Sequence, residues 1–125
     1  MKTTTSSMFF IAVLAGVTGI SSAGEADVIG GGLTALGEGR FRIDATVLHA
    51  DEGWDHYVDR WDVITPDGQV LGSRELAHPH DTEQPFTRSL TLSVPRGVSV
   101  IYLRAHDSVH GTGGKEFKLA VPNQD

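Results

Sequence analysis

The chain of 125 residues contains no cysteine. It can form no disulfide and offers no thiolate to a metal ion, so its stability has to come from packing or from a bound ion. It also lacks an apolar run long enough to span a bilayer as a helix. Basic residues are scarce, with 10 against 16 acidic ones. Nucleic acids and anionic membrane surfaces attract basic patches, so neither is an expected partner.

The short apolar run near the start, residues 8–20, has the features of a secretory signal. Lys2 precedes it, and small residues of the kind that a signal peptidase reads follow it up to Ala23. The sequence predicts a signal peptide over residues 1–23, with a cut after Ala26 as the alternative and an uncleaved membrane anchor as the competing interpretation. Residues 24–125 are then one periplasmic or secreted domain with no membrane span. Lys2 leaves with the signal, so nine basic residues face 16 acidic ones and the formal charge is −7.

Short runs of alternating apolar and polar residues, separated by glycine and proline, fill the remaining sequence. They predict seven strands over residues 27–36, 40–50, 56–64, 70–76, 86–94, 98–106 and 116–121. In the third strand the alternation places Trp61 inside and Val58 with Arg60 on the opposite face. Seven short strands with a tryptophan on the third predict an all-β, antiparallel sandwich of the immunoglobulin or fibronectin type. A small open β-barrel is the alternative.

All six histidines fall at one end of this predicted sandwich, because each lies where a strand ends or begins at that end. Imidazole is the commonest metal ligand, and carboxylate is its usual companion where thiolate is absent. Carboxylates gather at the same end, namely Asp51, Glu52, Asp55, Asp81, Glu83 and Asp107. The sequence therefore predicts a metal site, with the candidate ligands His49, His56, His78, His80, His106, His110 and Asp107.

Two pairs of histidines have the spacing of metal ligands. His78 and His80 are two residues apart, so both rings can face one ion in an extended segment. His106 and His110 bracket a turn and can do the same. An ion shared between these pairs is the most specific form of the hypothesis. Purely structural interpretations stay open: a solvated His-Pro-His turn, an Asp107 that accepts from loop amides, and a His49 that is buried and hydrogen-bonded.

A hydrolytic site receives little support from the sequence. Ser108 lies beside His106, Asp107 and His110, but there is no nucleophile elbow around it. Neighbours so close in sequence rarely adopt the geometry of a serine–histidine–aspartate triad. No catalytic residue is predicted, and a binding protein is favoured over an enzyme.

Three histidine-containing segments carry a resemblance to a known family. They are His49-Ala-Asp-Glu-Gly-Trp-Asp-His56, then His78-Pro-His80 with Glu83-Gln-Pro-Phe-Thr-Arg-Ser89, and Arg104-Ala-His-Asp-Ser-Val-His-Gly111. Over nearly all of the mature part, the chain resembles a family of small exported proteobacterial proteins of uncharacterised function. Because no activity is known for that family, the resemblance does not suggest one for this chain. Its histidine loops are also similar in style to those of periplasmic copper-carrier sandwiches. It lacks their methionine-rich ligand sets, having only Met1 and Met8, which favours Cu(II) or Zn(II) over Cu(I).

The function that these observations predict is that of a periplasmic metal-binding protein, a carrier, buffer or accessory factor for copper or zinc. Two alternatives remain. One is a module without a metal that docks a protein partner through the same end, using Trp54, Tyr57 and Arg88. The other is a small metalloenzyme whose ion keeps an open coordination position.

Overall fold

The structure, a computed structural model, describes residues 25–124. The predicted signal peptide lies outside the described residues and stays a prediction. The part that is described contains seven strands and no helix. The strands are β1 (Asp27–Gly37), β2 (Arg40–Leu48), β3 (Val58–Ile64), β4 (Val70–Glu75), β5 (Phe86–Ser93), β6 (Val100–Asp107) and β7 (Phe117–Ala120). Each lies within about two residues of its predicted range.

The strands form two sheets that face each other across one core. The first sheet has the order β1-β2-β5, the second has the order β4-β3-β6-β7, and every pair is antiparallel. The predicted all-β sandwich is therefore confirmed, and the strands between residues 25 and 124 do not close into a barrel. The fourth strand pairs with the third. In constant-type immunoglobulin domains it joins the sheet of the first, second and fifth strands instead.

Strict alternation along β2 and β6 builds the centre of the core. Every second side chain of β2, from Phe41 to Val47, is buried, and those between them face outward. The same holds for Ile101, Leu103 and Ala105 of β6. Trp61 of β3 is fully buried between the sheets, as predicted. Burying one large apolar side chain stabilises a fold by about 1.5–3 kcal/mol, so these strands hold the two layers together.

One inward position on β3 differs from the prediction. Val58 is fully buried, although simple alternation places it with Arg60 on the outer face. The register of β3 against β6 shifts between Val58 and Arg60, so one extra residue enters β3 there. Such a bulge turns the residues before it over to the other face.

The alternation of β2 and β6 continues one step beyond their apolar residues. His49 follows Val47 by two positions, and Asp107 follows Ala105 by two. Both polar side chains therefore point inward, and the two residues are only 3% and 0% exposed. β2 and β6 lie in different sheets, so this end of the core is closed by a histidine from one layer and a carboxylate from the other.

The hairpin between β1 and β2 lies at the opposite end of the sandwich. β2 runs nine residues, about 30 Å, from this turn to the end that carries His49. The turn contains Gly37, Glu38 and Gly39, all with positive φ, and Glu38 is exposed. Glycine takes such φ values without steric cost, so two glycines around one ordinary residue make the tight reversal possible.

Candidate metal centre

Three connections meet at the end of the sandwich that holds the histidines. They are residues 49–57 between β2 and β3, 76–85 between β4 and β5, and 107–114 between β6 and β7. Together these segments carry six carboxylates and no lysine or arginine. A surface with charge of one sign attracts ions of the opposite sign. The electrostatic field at this end therefore favours cations.

His49, His56 and Asp107 converge on one point. Asp107 Oδ2 lies 2.6 Å from His49 Nε2 and 2.7 Å from His56 Nε2, and the two Nε2 atoms are 3.3 Å apart. Three donor atoms of this group lie within 4.8 Å of one another, so the group can hold a metal ion. Ligand atoms about 2 Å from a tetrahedral ion are about 3.3 Å apart, which is the separation of the two imidazole nitrogens. Their contacts with Asp107 Oδ2 are shorter and have the lengths of hydrogen bonds.

Hydrogen bonds keep Asp107 ionised and occupy one of its two oxygens, so that the other can face a cation. Its Oδ1 accepts hydrogen bonds from the backbone N–H groups of Val109 and His110, at 2.6 and 2.9 Å. Burial opposes ionisation of Asp107, but the hydrogen bonds from the two amides and from His56 and His110 prevail and hold its pKa well below the usual range. The predicted turn in which Asp107 accepts from loop amides is therefore present, and Oδ2 still faces the imidazoles.

Each imidazole of the group also faces a second carboxylate through its other nitrogen. His49 Nδ1 lies 2.5 Å from Asp51 Oδ1, and both side chains are fully buried. His56 Nδ1 lies 3.1 Å from Glu52 Oε1, whose side chain is 72% exposed. Histidines that bind metals usually donate their second N–H to a carboxylate in this way, which fixes the tautomer and the direction of the ring.

Asp51 and Glu52 were counted among the acidic residues of this end but were not predicted to have a role in the site. A signal for Asp51 exists in the sequence, because it follows His49 by two positions and so continues the same inward face. Asp51 also accepts from the backbone N–H of Val58 at 3.3 Å and of His80 at 2.6 Å. It therefore connects the histidine to two neighbouring segments.

His110 lies at the solvent side of the group. Its Nδ1 is 3.3 Å from Asp107 Oδ2, and the centroid of its ring is 4.9 Å from that of His56. The side chain of His110 is 38% exposed, whereas that of His56 is 13% exposed. Of the four histidines in the two predicted pairs, His110 is therefore the one that contacts the His49–His56–Asp107 group through Asp107.

His78 and His80 pack together on the other side of Asp51. Their ring centroids are 4.9 Å apart, and His80 is stacked on Phe86 at 4.0 Å. His80 is buried, and its Nδ1 has no hydrogen-bond partner within residues 25–124. Burial, with the positive charges of Arg88 and His78 as smaller contributions, lowers the pKa of His80, against the opposing effect of Asp51 and Glu83. His78 Nδ1 contacts the carbonyl oxygen of Pro79 instead.

His106 lies on the outer face of the second sheet. Its Nδ1 is 2.6 Å from Asp59 Oδ1. As an even-numbered residue of β6, it points away from the inward side chains of Ala105 and Asp107. Neither His106 nor His78 belongs to the group that converges on Asp107 Oδ2. The ion shared between the His78–His80 and His106–His110 pairs thus stays a prediction, and the observed convergence favours another set of ligands.

Large apolar side chains are exposed around the candidate site. Trp54 is 66% exposed and packs edge-to-face against Tyr57, with ring centroids 5.4 Å apart. Val109, in the same turn as His110, is 58% exposed. Ser108 ties the two loops together, because its N–H donates to Tyr57 O and its Oγ accepts from Tyr57 N. The rim of the site is therefore apolar as well as acidic.

Comparison with known proteins gives one related sequence and one weak likeness in fold. No family model matches the chain. A protein of the archaeon Halomicrobium mukohataei, named "Putative lipoprotein", is 44% identical over 91 residues. The match covers 73% of this chain but 45% of that relative, so the chain spans less than half of the protein that it matches. A proteobacterial origin of the family stays a prediction.

Among solved structures, a superoxide reductase (1Fe-SOR) from Giardia intestinalis overlaps 76% of this chain and 99% of its own, with 15% identity and a TM-score of 0.44. At that TM-score the likeness carries no argument about function. Between residues 25 and 124, no helix has the length and apolar character needed to cross a membrane.

Proposed function

We propose that this chain is an exported metal-binding domain that holds one Cu(II) or Zn(II) ion between His49, His56 and Asp107. In this proposal it serves as a carrier, buffer or accessory factor for that metal. One observation carries the proposal: two Nε2 atoms meet at the same oxygen of Asp107, while the Nδ1 atoms of the same rings face Asp51 and Glu52. Histidines that bind a metal with one ring nitrogen usually donate the N–H of the other to a carboxylate, as Asp51 and Glu52 allow here.

Hydrogen bonds without a metal ion explain these distances less well. To donate both to Asp107 and to its outer carboxylate, each ring would need a hydrogen on both nitrogens and would carry a positive charge. The two cationic rings would then meet with Nε2 atoms 3.3 Å apart, at a largely buried site. Like charges at that distance repel strongly where water is excluded. A divalent cation in the centre needs only one N–H on each ring and pairs with the ionised Asp107.

The donor atoms restrict the choice of metal. Two imidazoles and a carboxylate suit zinc and copper, and affinity for nitrogen and oxygen ligands is highest for Cu(II) in the first-row series. The chain has no cysteine and no methionine after Met8, so the mature domain has no sulfur ligand that would favour Cu(I). Three protein ligands leave at least one coordination position open, as in sites that exchange a ligand or activate water. This openness suits a carrier and keeps the metalloenzyme alternative testable.

Export and the charge of the site agree with this role. The relative from Halomicrobium mukohataei is named as a lipoprotein, which supports the predicted secretory signal of this chain. The loops 49–57, 76–85 and 107–114 contain only negative formal charges, and such a surface raises the rate at which cations arrive. A periplasmic or extracellular location stays a proposal, to be tested by sequencing the mature N-terminus.

Metal titration of the protein without a histidine tag tests the proposal. We expect Zn(II) and Cu(II) to bind with a stoichiometry of one in calorimetry, and native mass spectrometry to find an ion on protein prepared from the periplasm. His49→Ala and Asp107→Asn should remove most of the affinity. His106→Ala is the matched control, because it removes an imidazole at the same end that pairs with Asp59. Wild-type protein that binds neither ion below about 100 μM would overturn the proposal.

A second candidate function rests on the exposure of Trp54. A tryptophan that is 66% exposed is unusual, and large aromatic residues are the common anchors of protein interfaces. In this alternative, the acidic end with Trp54 and Tyr57 docks a basic protein partner without any metal. It predicts that Trp54→Ala weakens partner binding more than any histidine substitution does and that a chelator has no effect.

A further inference from the structure

We propose that His110 is the fourth ligand of this site and the one that exchanges when the ion enters or leaves. The inference rests on the proposed function, because it requires an ion between His49, His56 and Asp107. It adds the route by which the ion enters and leaves the site and the order in which the ligands release it. It also gives His110 a role different from that of His49 and His56, although all three bind through an imidazole.

The position of His110 Nδ1 supports its role as a ligand. It lies 3.3 Å from Asp107 Oδ2, about the separation expected for two neighbouring ligands of one tetrahedral ion. The centroid of the His110 ring is 4.9 Å from that of His56, and His110 contacts the same Asp107 oxygen as His49 and His56. His110 is not in the group whose donor atoms all lie within 4.8 Å of one another, so its ring has to rotate toward an ion to become the fourth ligand. Four is the usual coordination number of zinc.

The turn that carries His110 is anchored independently of any ion. Asp107 and Gly111 exchange two backbone hydrogen bonds of 2.9 Å, and Asp107 Oδ1 accepts from the amides of Val109 and His110. Gly111 takes φ +78, which closes this short turn. With the backbone held in this way, only the side-chain torsions of His110 have to change for its nitrogen to reach or leave the ion. Side-chain rotation of an exposed residue is fast compared with loop motion.

The exposure of the four donors sets their order of release. The side chains of His49 and Asp107 are fully buried, that of His56 is 13% exposed, and that of His110 is 38% exposed. His110 is thus the donor that water or a competing ligand reaches first. The other two imidazoles have outer carboxylates, Asp51 and Glu52, that hold their rings toward the centre. Replacement of His110 therefore opens the site and leaves the inner three ligands in place.

The rate of Zn(II) release distinguishes an exchangeable ligand from a permanent one. Zinc-loaded wild type, His110→Ala, His49→Ala and His106→Ala are mixed with excess chelator, and equilibrium affinity is measured in parallel. We expect His110→Ala to keep binding, with affinity reduced and release accelerated by a similar factor, because three of the four ligands remain. His106→Ala should match the wild type, and His49→Ala should lose most binding. Co(II) loading adds a spectroscopic readout, since water in place of His110 changes the visible absorption of the ion.

The outcomes separate this inference from the function on which it rests. If His110→Ala binds and releases Zn(II) like the wild type and gives the same Co(II) spectrum, His110 is no ligand, and the three-residue site still stands. If His110→Ala loses binding as completely as His49→Ala, His110 is a permanent ligand and the exchange role is wrong. If the wild type binds no ion, both proposals fail. Circular dichroism of each variant verifies the fold, which the exposed His110 contributes to little.

Discussion

Asp51 Oδ1 and His49 Nδ1 are 2.5 Å apart in a place where both side chains are fully buried. The same carboxylate receives the backbone N–H of Val58 and, through Oδ2, that of His80. One aspartate thereby sets the direction of the innermost imidazole and joins three segments of the chain. A buried carboxylate with three donors is costly to alter, because its partners would be left unpaired.

Replacement of Asp51 should weaken metal binding even though Asp51 is not a ligand. Asp51→Asn keeps the size but loses the charge that orients His49, so we expect Zn(II) affinity to fall about 10–100-fold. Glu52→Gln is the matched control on His56. Its effect should be smaller, because Glu52 is 72% exposed and its contact is longer, at 3.1 Å. Calorimetric titration of both variants checks this. Equal losses would contradict a special role for the buried pair.

Metal affinity should fall as the pH is lowered from about 7 to 5. An imidazole nitrogen must be free of its proton to bind an ion, so protons compete with the metal in the range where free imidazole titrates, near pH ~6.5. Binding should also release protons, which calorimetry detects when the same titration is repeated in buffers of different ionisation enthalpy. Equal affinity at both ends of the range, with no proton release, would point to binding by carboxylates alone.

The stability of the metal-free protein should also depend on pH through His80. Burial, followed by the charges of Arg88 and His78, holds the pKa of His80 below its usual value. Below pH ~6.5 the unfolded chain then binds this proton more readily than the folded chain. His80 therefore favours unfolding as the pH falls from about 7 toward 5.

Denaturant unfolding of wild type and His80→Gln at pH 7.5 and 5.5, with chelator present, measures that contribution. The free energy of unfolding should drop more in the wild type than in the variant. The other five histidines are present in both proteins, so their effects cancel in the difference. Identical drops would show that His80 takes up its proton equally well in both states.

Two adjacent glycines of β1 should respond differently to alanine. A Cβ at Gly31 would lie 2.7 Å from Leu103 Cδ1 and 3.1 Å from Phe117 Cδ2, both packed in the core. A Cβ at Gly30 would meet Thr46 Cβ at 3.5 Å, an ordinary contact. Gly31→Ala should therefore destabilise the fold by about 1–3 kcal/mol, and Gly30→Ala by clearly less. Thermal or denaturant unfolding compares them. Similar losses would contradict the close approach of β1 to β6 and β7.

Periodicity predicted the central strands well, because inward and outward side chains alternate strictly along β2 and β6. The rule that inward residues recur every second position identified Phe41, Trp61 and Leu103 as core. The same rule, carried past the apolar residues, also points His49 inward. The alternation rule alone does not place Asp107 in β6, because aspartate is common in turns and its partners here cannot be seen in the sequence.

Contacts between the two sheets could not be predicted from the sequence. The approach of His49 to Asp107 joins residues 58 positions apart, and no local pattern encodes it. The bulge at Val58, which reverses the face of one residue, leaves no mark in an alternating sequence either. Histidine spacing favoured His78 with His80, and the sequence gives no sign that the ring of His80 stacks on Phe86. A ligand role for this pair stays a prediction.

The turn between β1 and β2 is a position where a label can be attached far from the histidine loops. Glu38 is exposed there, about 30 Å along β2 from His49, and the sequence has no cysteine. A single cysteine introduced in place of Glu38 would be the only thiol in the protein. Fluorophores, spin labels or a gold surface could then be coupled to it, so that every tethered molecule presents its histidine loops to the solution in the same orientation.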